Sequence, residues 1–227
     1  MMSHQIDELI RSRRRTIGLL VDKDGRVVVR APIHAPLALI NQFVNSKQGW
    51  IEKRKQLAKT RASRVQVRFE EGETFLVQGR SIPLKITQTA KASLGYDGKA
   101  FTLRKEDQQH AAVLFEQVYK KLARKVLGAR LQHLSTVLGY QFKQFRLSSA
   151  NTRWGSCSSH GTISLTWRLV MAPDDVIDYV IIHELSHLKV MNHSTKFWQT
   201  VESHMPNYKA SRQWLKSNGH RLSISQE

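Results

Sequence analysis

The sequence predicts an α+β protein, on three observations. Short segments that alternate apolar and polar residues, separated by turn residues, fill the chain up to Arg104 around one helix. A long helical periodicity then runs from Glu106 to Leu138, and after it strands return briefly before three helices. The change of texture places a boundary near residue 105, between a basic strand-rich part, 1–105, and a second domain, 106–227.

Taken in order, Thr16–Val21 and Arg26–Ala31 flank Asp22-Lys23-Asp24-Gly25, which reads as a hairpin with a four-residue loop. Pro36 suits the first position of a helix, where an N–H has no partner to lose. Leu37, Ile40, Val44, Trp50, Ile51 and Leu57 carry that helix to about Lys59, with Gly49 weakening its middle. Lys53, Arg54, Lys55 and Lys59 crowd its end, as the helix dipole favours. Thr74–Gln78 and Ser81–Thr87 meet at Gly79-Arg80, and Leu94–Tyr96 and Ala100–Arg104 meet around Asp97-Gly98. Val113, Val118, Leu122, Val126, Leu131, Leu134 and Leu138 mark the long helix, with Gly128 a weak point and Gly139 a stop. Phe145–Leu147, Thr152–Ser156 and Ile163–Leu169 read as strands, and helices begin near Pro173, Thr195 and Asn207.

The 227 residues are 41% hydrophobic, enough for a proper core. No run approaches the roughly 18 apolar residues of a membrane span. The chain opens with the charges Asp7, Glu8, Arg11, Arg13, Arg14 and Arg15 and lacks the apolar run of a secretory signal, and Asp7 and Glu8 argue against a mitochondrial presequence. A lone Cys157 excludes an internal disulfide framework and suits a reducing compartment. The expectation is a soluble cytoplasmic protein without a membrane partner. Its net charge is +18, and residues 1–65 hold 14 basic against 5 acidic groups. Such a field attracts an anionic partner, a nucleic acid or a nucleotide, although a solvated basic surface accounts for it equally well.

Chemistry concentrates in the helix that opens at Pro173. His183-Glu184-Leu185-Ser186-His187 places two histidines four apart, on one face of a helix that Val176, Val180 and Ile181 bury. That spacing lets both imidazoles reach one ion at the roughly 2.0–2.1 Å that zinc requires. Glu184 stands where a carboxylate takes a proton from a metal-bound water. A third ligand decides the matter. His193 points away from the pair on an unbroken helix, so it serves only if the helix stops after His187. Asn192 tolerates the left-handed conformation that ends helices, and Ser194 or Thr195 can cap a new one. Glu202 and His204 on the next helix are the alternatives. Cys157 and His160 make half of a structural zinc site with no second half, and Trp154, Trp167, Trp198 and Trp214 suit packing around the site helix.

HELSHLKVMNHSTKFW, preceded by RWGSCSSHGTISLTWRLV and followed by MPNYKASRQWLK, resembles the YgjP-like metallopeptidases, relatives of the SprT-like zinc proteases. The resemblance implies a zincin-like C-terminal domain, with an HExxH helix on a small sheet. It implies zinc on His183, His187 and His193, with Glu184 as general base. The metzincin glycine is replaced by Val190. It also offers Ile163–Leu169 as an edge for an extended peptide, with an ordinary sheet strand the equal alternative, and Tyr208 as the best candidate for an oxyanion stabiliser that the sequence does not identify. Met205 is a candidate floor beneath the metal, with a core methionine the alternative. The expected function is therefore a zinc-dependent metallopeptidase acting on peptides or proteins through zinc-bound water. Two alternatives are a metal-dependent hydrolase of nucleotides or other phosphorylated small molecules, and a nucleic-acid-binding protein with a C-terminal protease-like site.

Overall fold

The alternating segments at the start of the chain pair as a mixed three-stranded sheet. A computed structural model describes residues 6–22, 24–62 and 67–224, with the backbone alone for 57–62. The chain divides into two compact units, 1–66 and 67–227.

In the first unit, β1 (Glu8–Ser12), β2 (Gly18–Val21) and β3 (Val27–Pro32) lie in the order β1-β3-β2. The β2–β3 hairpin is closed by Asp22, whose Oδ1 accepts from the backbone N–H of Asp24 (3.0 Å) and Arg26 (2.8 Å). Lys23 of that loop lies outside the described residues. Strand β1, which periodicity missed, exposes four of its five residues, so its sequence carries almost no apolar alternation. It pairs parallel to β3. Arg11 adds three bonds, donating to the carbonyls of Pro32, Ile33 and Ala35 at 3.2, 2.8 and 2.9 Å. The single helix expected from Pro36 to Lys59 is two, α1 (Leu37–Ser46) and α2 (Gln48–Ala62). The interruption falls at Lys47, and Gly49 lies inside α2. The side chains of Leu57 and Lys59 lie outside the described residues. Val27, Val29, Ala31, Ile40, Val44 and Ile51 form the core of this unit.

The second unit begins with β4 (Thr74–Val77), β5 (Arg80–Thr87), β6 (Leu94–Tyr96) and β7 (Phe101–Arg104), in the order β4-β5-β7-β6. Gln78 and Gly79 turn the first hairpin with φ of 48° and 76°, the positive values a tight two-residue turn requires. A Cβ on Gly79 would also stand 3.0 Å from the Cα of Pro173. Next comes α3 (Ala111–Val137), unbroken at Gly128 and preceded by a 3₁₀ turn at 105–110. Its buried stripe, from Ala111 through Phe115, Tyr119, Ala123, Leu127 and Leu131 to Ser135, advances four residues at a time. Phe115 stacks on Phe75 of β4 at 4.1 Å, while Tyr119 stacks on Trp167 at 6.0 Å. The sheet of residues 74–104 and the C-terminal elements thus share one core. The compact units accordingly separate at 66/67, and the change of texture near residue 105 falls inside the second. It marks where strands give way to a helix, and the helix then packs back on those strands.

Strands β8 (Gln144–Ser148), β9 (Gly155–Cys157) and β10 (Thr162–Thr166) form a second small sheet, in the order β8-β10-β9. The expected strand Ile163–Leu169 ends at Thr166, and residues 167–171 make a 3₁₀ turn. Because β10 pairs with β8 on one side and β9 on the other, it offers no free edge. Helices α4 (Asp174–Ser186), α5 (Thr195–His204) and α6 (Tyr208–Asn218) follow at the anticipated positions. The β4–β5 turn braces the start of α4: the N–H groups of Gln78 and Gly79 donate to Val170 and Met171, and the Gln78 amide to Asp174 Oδ1 (2.8 Å). Arg130 of α3 grips Asp178 of α4 with two bonds, Nη2 to Oδ2 at 2.7 Å. Among the described residues no helix is long and apolar enough to cross a membrane.

Candidate metal centre

Helix α4 is held by burial along most of its length, so His183 and Glu184 enter the interior with it. The helix ends at Ser186. His187 keeps helical angles as the capping residue, and the chain leaves through a turn in which Leu188, Lys189 and Val190 donate to Leu185 and Ser186. The break that His193 needs is therefore present. It uses no left-handed residue, since Asn192 is not among the positive-φ residues described. Asn192 instead accepts from the N–H of Ser194 (3.3 Å) at the start of α5.

The loop returns His193 to the helix pair. His183, His187 and His193 each offer a ring nitrogen, and these atoms all lie within 4.8 Å of one another. Nε2 of His183 and Nε2 of His193 are 3.1 Å apart. Two nitrogens bound tetrahedrally at about 2.05 Å would stand roughly 3.3 Å apart, so the spacing suits zinc. The Nδ1–H of His187 donates to the Val190 carbonyl (3.1 Å), which leaves its Nε2 as a lone pair. Nδ1 of His183 is buried without a partner among the described residues. Burial, followed by the neighbouring His187 and His193, pushes His183 down to about 3. It is thus a neutral imidazole at pH 7, the form a metal binds. Burial likewise lowers His187. The donor set fits a divalent transition metal.

Beneath the three rings lies Phe197 of α5, fully buried, with its centroid 4.9, 4.4 and 4.8 Å from His183, His187 and His193. An aromatic floor stands where the sequence offered Met205, which packs partly buried against the core. Trp198 is the outer neighbour, 5.8 Å from His193 and 27° from parallel to it. Tyr179, rather than Tyr208, meets His183, edge-on at 5.9 Å. Tyr208 stacks one ring further out, on Tyr179 and Trp198.

Glu184 is 5% exposed, and burial pushes it up to about 8 against the opposing pull of Arg153. Its room is made by Gly155 at the start of β9: a Cβ there would lie 2.5 Å from Glu184 Oε1. Gly155 belongs to the site although only its place in the run Arg153-Trp154-Gly155-Ser156-Cys157 hinted at it. The outer strand beside the carboxylate is therefore β9, and the expected edge at Ile163–Leu169 is corrected, because β10 is flanked on both sides. Glu202 and His204 do not join the cluster. Glu202 meets Lys209 at 3.3 Å, and Nε2 of His204 lies 2.9 Å from the Tyr140 hydroxyl. His160 is exposed and only weakly placed beside Ser159, so the Cys157/His160 pair gathers no further ligand among the described residues.

Three converging imidazoles, with the buried Glu184 following the first of them on α4, are the residue set of a metal-dependent hydrolase. The chain belongs to the YgjP-like metallopeptidase family: the model of the YgjP-like metallopeptidase domain matches residues 15–218. No curated relative matches the chain significantly. Among solved structures it is similar to the metallopeptidase zymogen abylysin of Pyrococcus abyssi, at 31% identity over 40% of this chain and 93% of that one, with a TM-score of 0.36. It is also similar to the zymogen jannalysin of Methanocaldococcus jannaschii, at 19% identity over 41% and 94%, with a TM-score of 0.36.

Proposed function

We propose that the protein is a zinc metallopeptidase with a zincin-like catalytic arrangement, in which His183, His187 and His193 hold the metal and Glu184 is the general base. The observation that carries this reading is the convergence of the three ring nitrogens within 4.8 Å, with the buried Glu184 following His183 on α4. Family membership supplies the peptidase class. When bound, zinc supplies a Lewis acid and lowers the pKa of a water it holds toward 7.

The chain's own groups do the rest. Phe197 keeps the imidazoles in register, and the His187–Val190 bond sets one tautomer. Glu184 takes the proton of the attacking water on its carboxylate and returns it to the leaving amine. Its ionised form is favoured by a cation at the imidazoles, which opposes the effect of burial. The outer edge of β9 offers an extended substrate backbone groups to pair with.

Metal analysis of the purified protein by mass spectrometry is the test, beside a His183→Ala/His187→Ala variant. About one zinc per chain, lost in the variant, is expected, together with casein cleavage abolished by Glu184→Ala. Absence of any transition metal after reconstitution with zinc would refute the reading.

A further inference from the structure

The rim of the centre carries a charge that catalysis as described leaves unused. Arg212 is exposed, one turn beyond Tyr208 on α6, with its Cζ 4.6 Å from the centre of the Trp198 ring. That ring in turn lies 5.8 Å from His193 and 5.7 Å from His183. A guanidinium stacked on an indole uses its face, while its five N–H donors lie in its plane and stay open to an oxyanion. No carboxylate pairs with Arg212 among the described residues. Another cation, Arg153, lies two residues before Gly155, the glycine that makes room for Glu184.

We propose that Arg212 is a specificity-determining residue that binds a carboxylate of the substrate on the Trp198 side of the scissile bond. The proposal rests on the peptidase reading above. Two sources share the chemistry, an Asp or Glu side chain and a C-terminal α-carboxylate. Either is met by two in-plane N–H bonds, a geometry lysine lacks.

The test uses the full zinc-reconstituted chain and one parent peptide in three forms: neutral, with Glu substituted at positions flanking the scissile bond, and with a C-terminal acid or amide. Acidic peptides should show KM lower by roughly three- to tenfold with kcat little changed, as expected for one partly exposed charged contact. Arg212→Ala should erase the preference, Arg212→Glu should turn it toward Lys-containing peptides, and Arg153→Ala should keep it. Loss of the preference on amidation assigns the contact to the terminal carboxylate, and persistence assigns it to a side chain; either outcome supports the site. Calorimetric binding of the same peptides to Glu184→Gln protein reads the contact without turnover. Arg212-dependent binding of acidic peptides with no cleavage by the native protein would keep the site and remove the peptidase reading. Cleavage of neutral and acidic peptides alike, or a preference that survives Arg212→Ala, would overturn the proposal and leave that reading standing. Arg212-dependent binding of nucleotides, with none of acidic peptides, would overturn it as well.

Discussion

The two units of the chain carry similar positive charge on very different interiors. Residues 1–65 hold 14 basic and 5 acidic groups, half of the net +18 in less than a third of the chain. Their core is a handful of aliphatic residues, and Leu20, Ile33, Leu37, Leu39 and Trp50 remain exposed. The second unit builds one continuous core from two sheets and the helices between them. Only that interior is large enough to strip water from a histidine and a glutamate side by side, as it does at His183 and Glu184. A thin core leaves its cations in solvent, whereas a thick one can hold ionisable groups out of water.

The sharpest way to break this contrast is to remove the metal. Chelation, or His183→Ala, should destabilise the second unit by about 4 kcal/mol or more where zinc exceeds its Kd a thousandfold. The first unit should melt as before in a calorimetric scan; a matching loss there would show the units to be one.

The reverse experiment strikes the small core. Ile40→Ala empties a fully buried position and should cost about 2–5 kcal/mol of first-unit stability. Zinc content, measured by mass spectrometry, should not change.

Acidity separates the two buried groups of the site in the metal-free protein. Glu184 is raised from 4.5 to about 8, so the folded state binds its proton more tightly; that stability is full below pH 4.5 and is lost as pH rises through 8. His183 is lowered from 6.5 to about 3, so its contribution is full above 6.5 and is lost as pH falls through 3. Urea unfolding should therefore show a plateau between pH 4.5 and 6.5, with losses on both sides. Glu184→Gln should abolish the alkaline loss, about 2 kcal/mol between pH 6.5 and 8.

Gly155→Ala should cost about 1–3 kcal/mol, because its methyl overlaps the Glu184 carboxyl, and should lower peptide cleavage more than zinc content. The smallest effect belongs to the first unit's surface. Arg54 lies 5.4 Å over exposed Trp50, and Arg54→Ala should change stability by about 0.5–1 kcal/mol without affecting cleavage.

Much of the site was legible because it is local. Two histidines four apart share a helix face whatever surrounds them, and Pro173 with Asp174 and Asp175 marks where that helix starts. The order of elements from β4 onward was readable for the same reason. Strand β1 was not, since a mostly exposed strand needs little alternation. Nor was the split of the first helix at Lys47, because Gly49, two residues on, reads as a weak point within one helix and not as a break before it.

By itself the sequence determined the α+β class, the helix carrying His183, Glu184 and His187, and the need for a break before His193. Tertiary structure decided whatever depends on contacts between distant segments. It turned His193 back over Phe197, set Gly155 against Glu184, buried β10 between two neighbours and placed the unit boundary at 66/67. The physical reason is one of range. Periodicity and capping act over a turn or two of chain, whereas desolvation and close packing depend on which surfaces meet after the chain has folded.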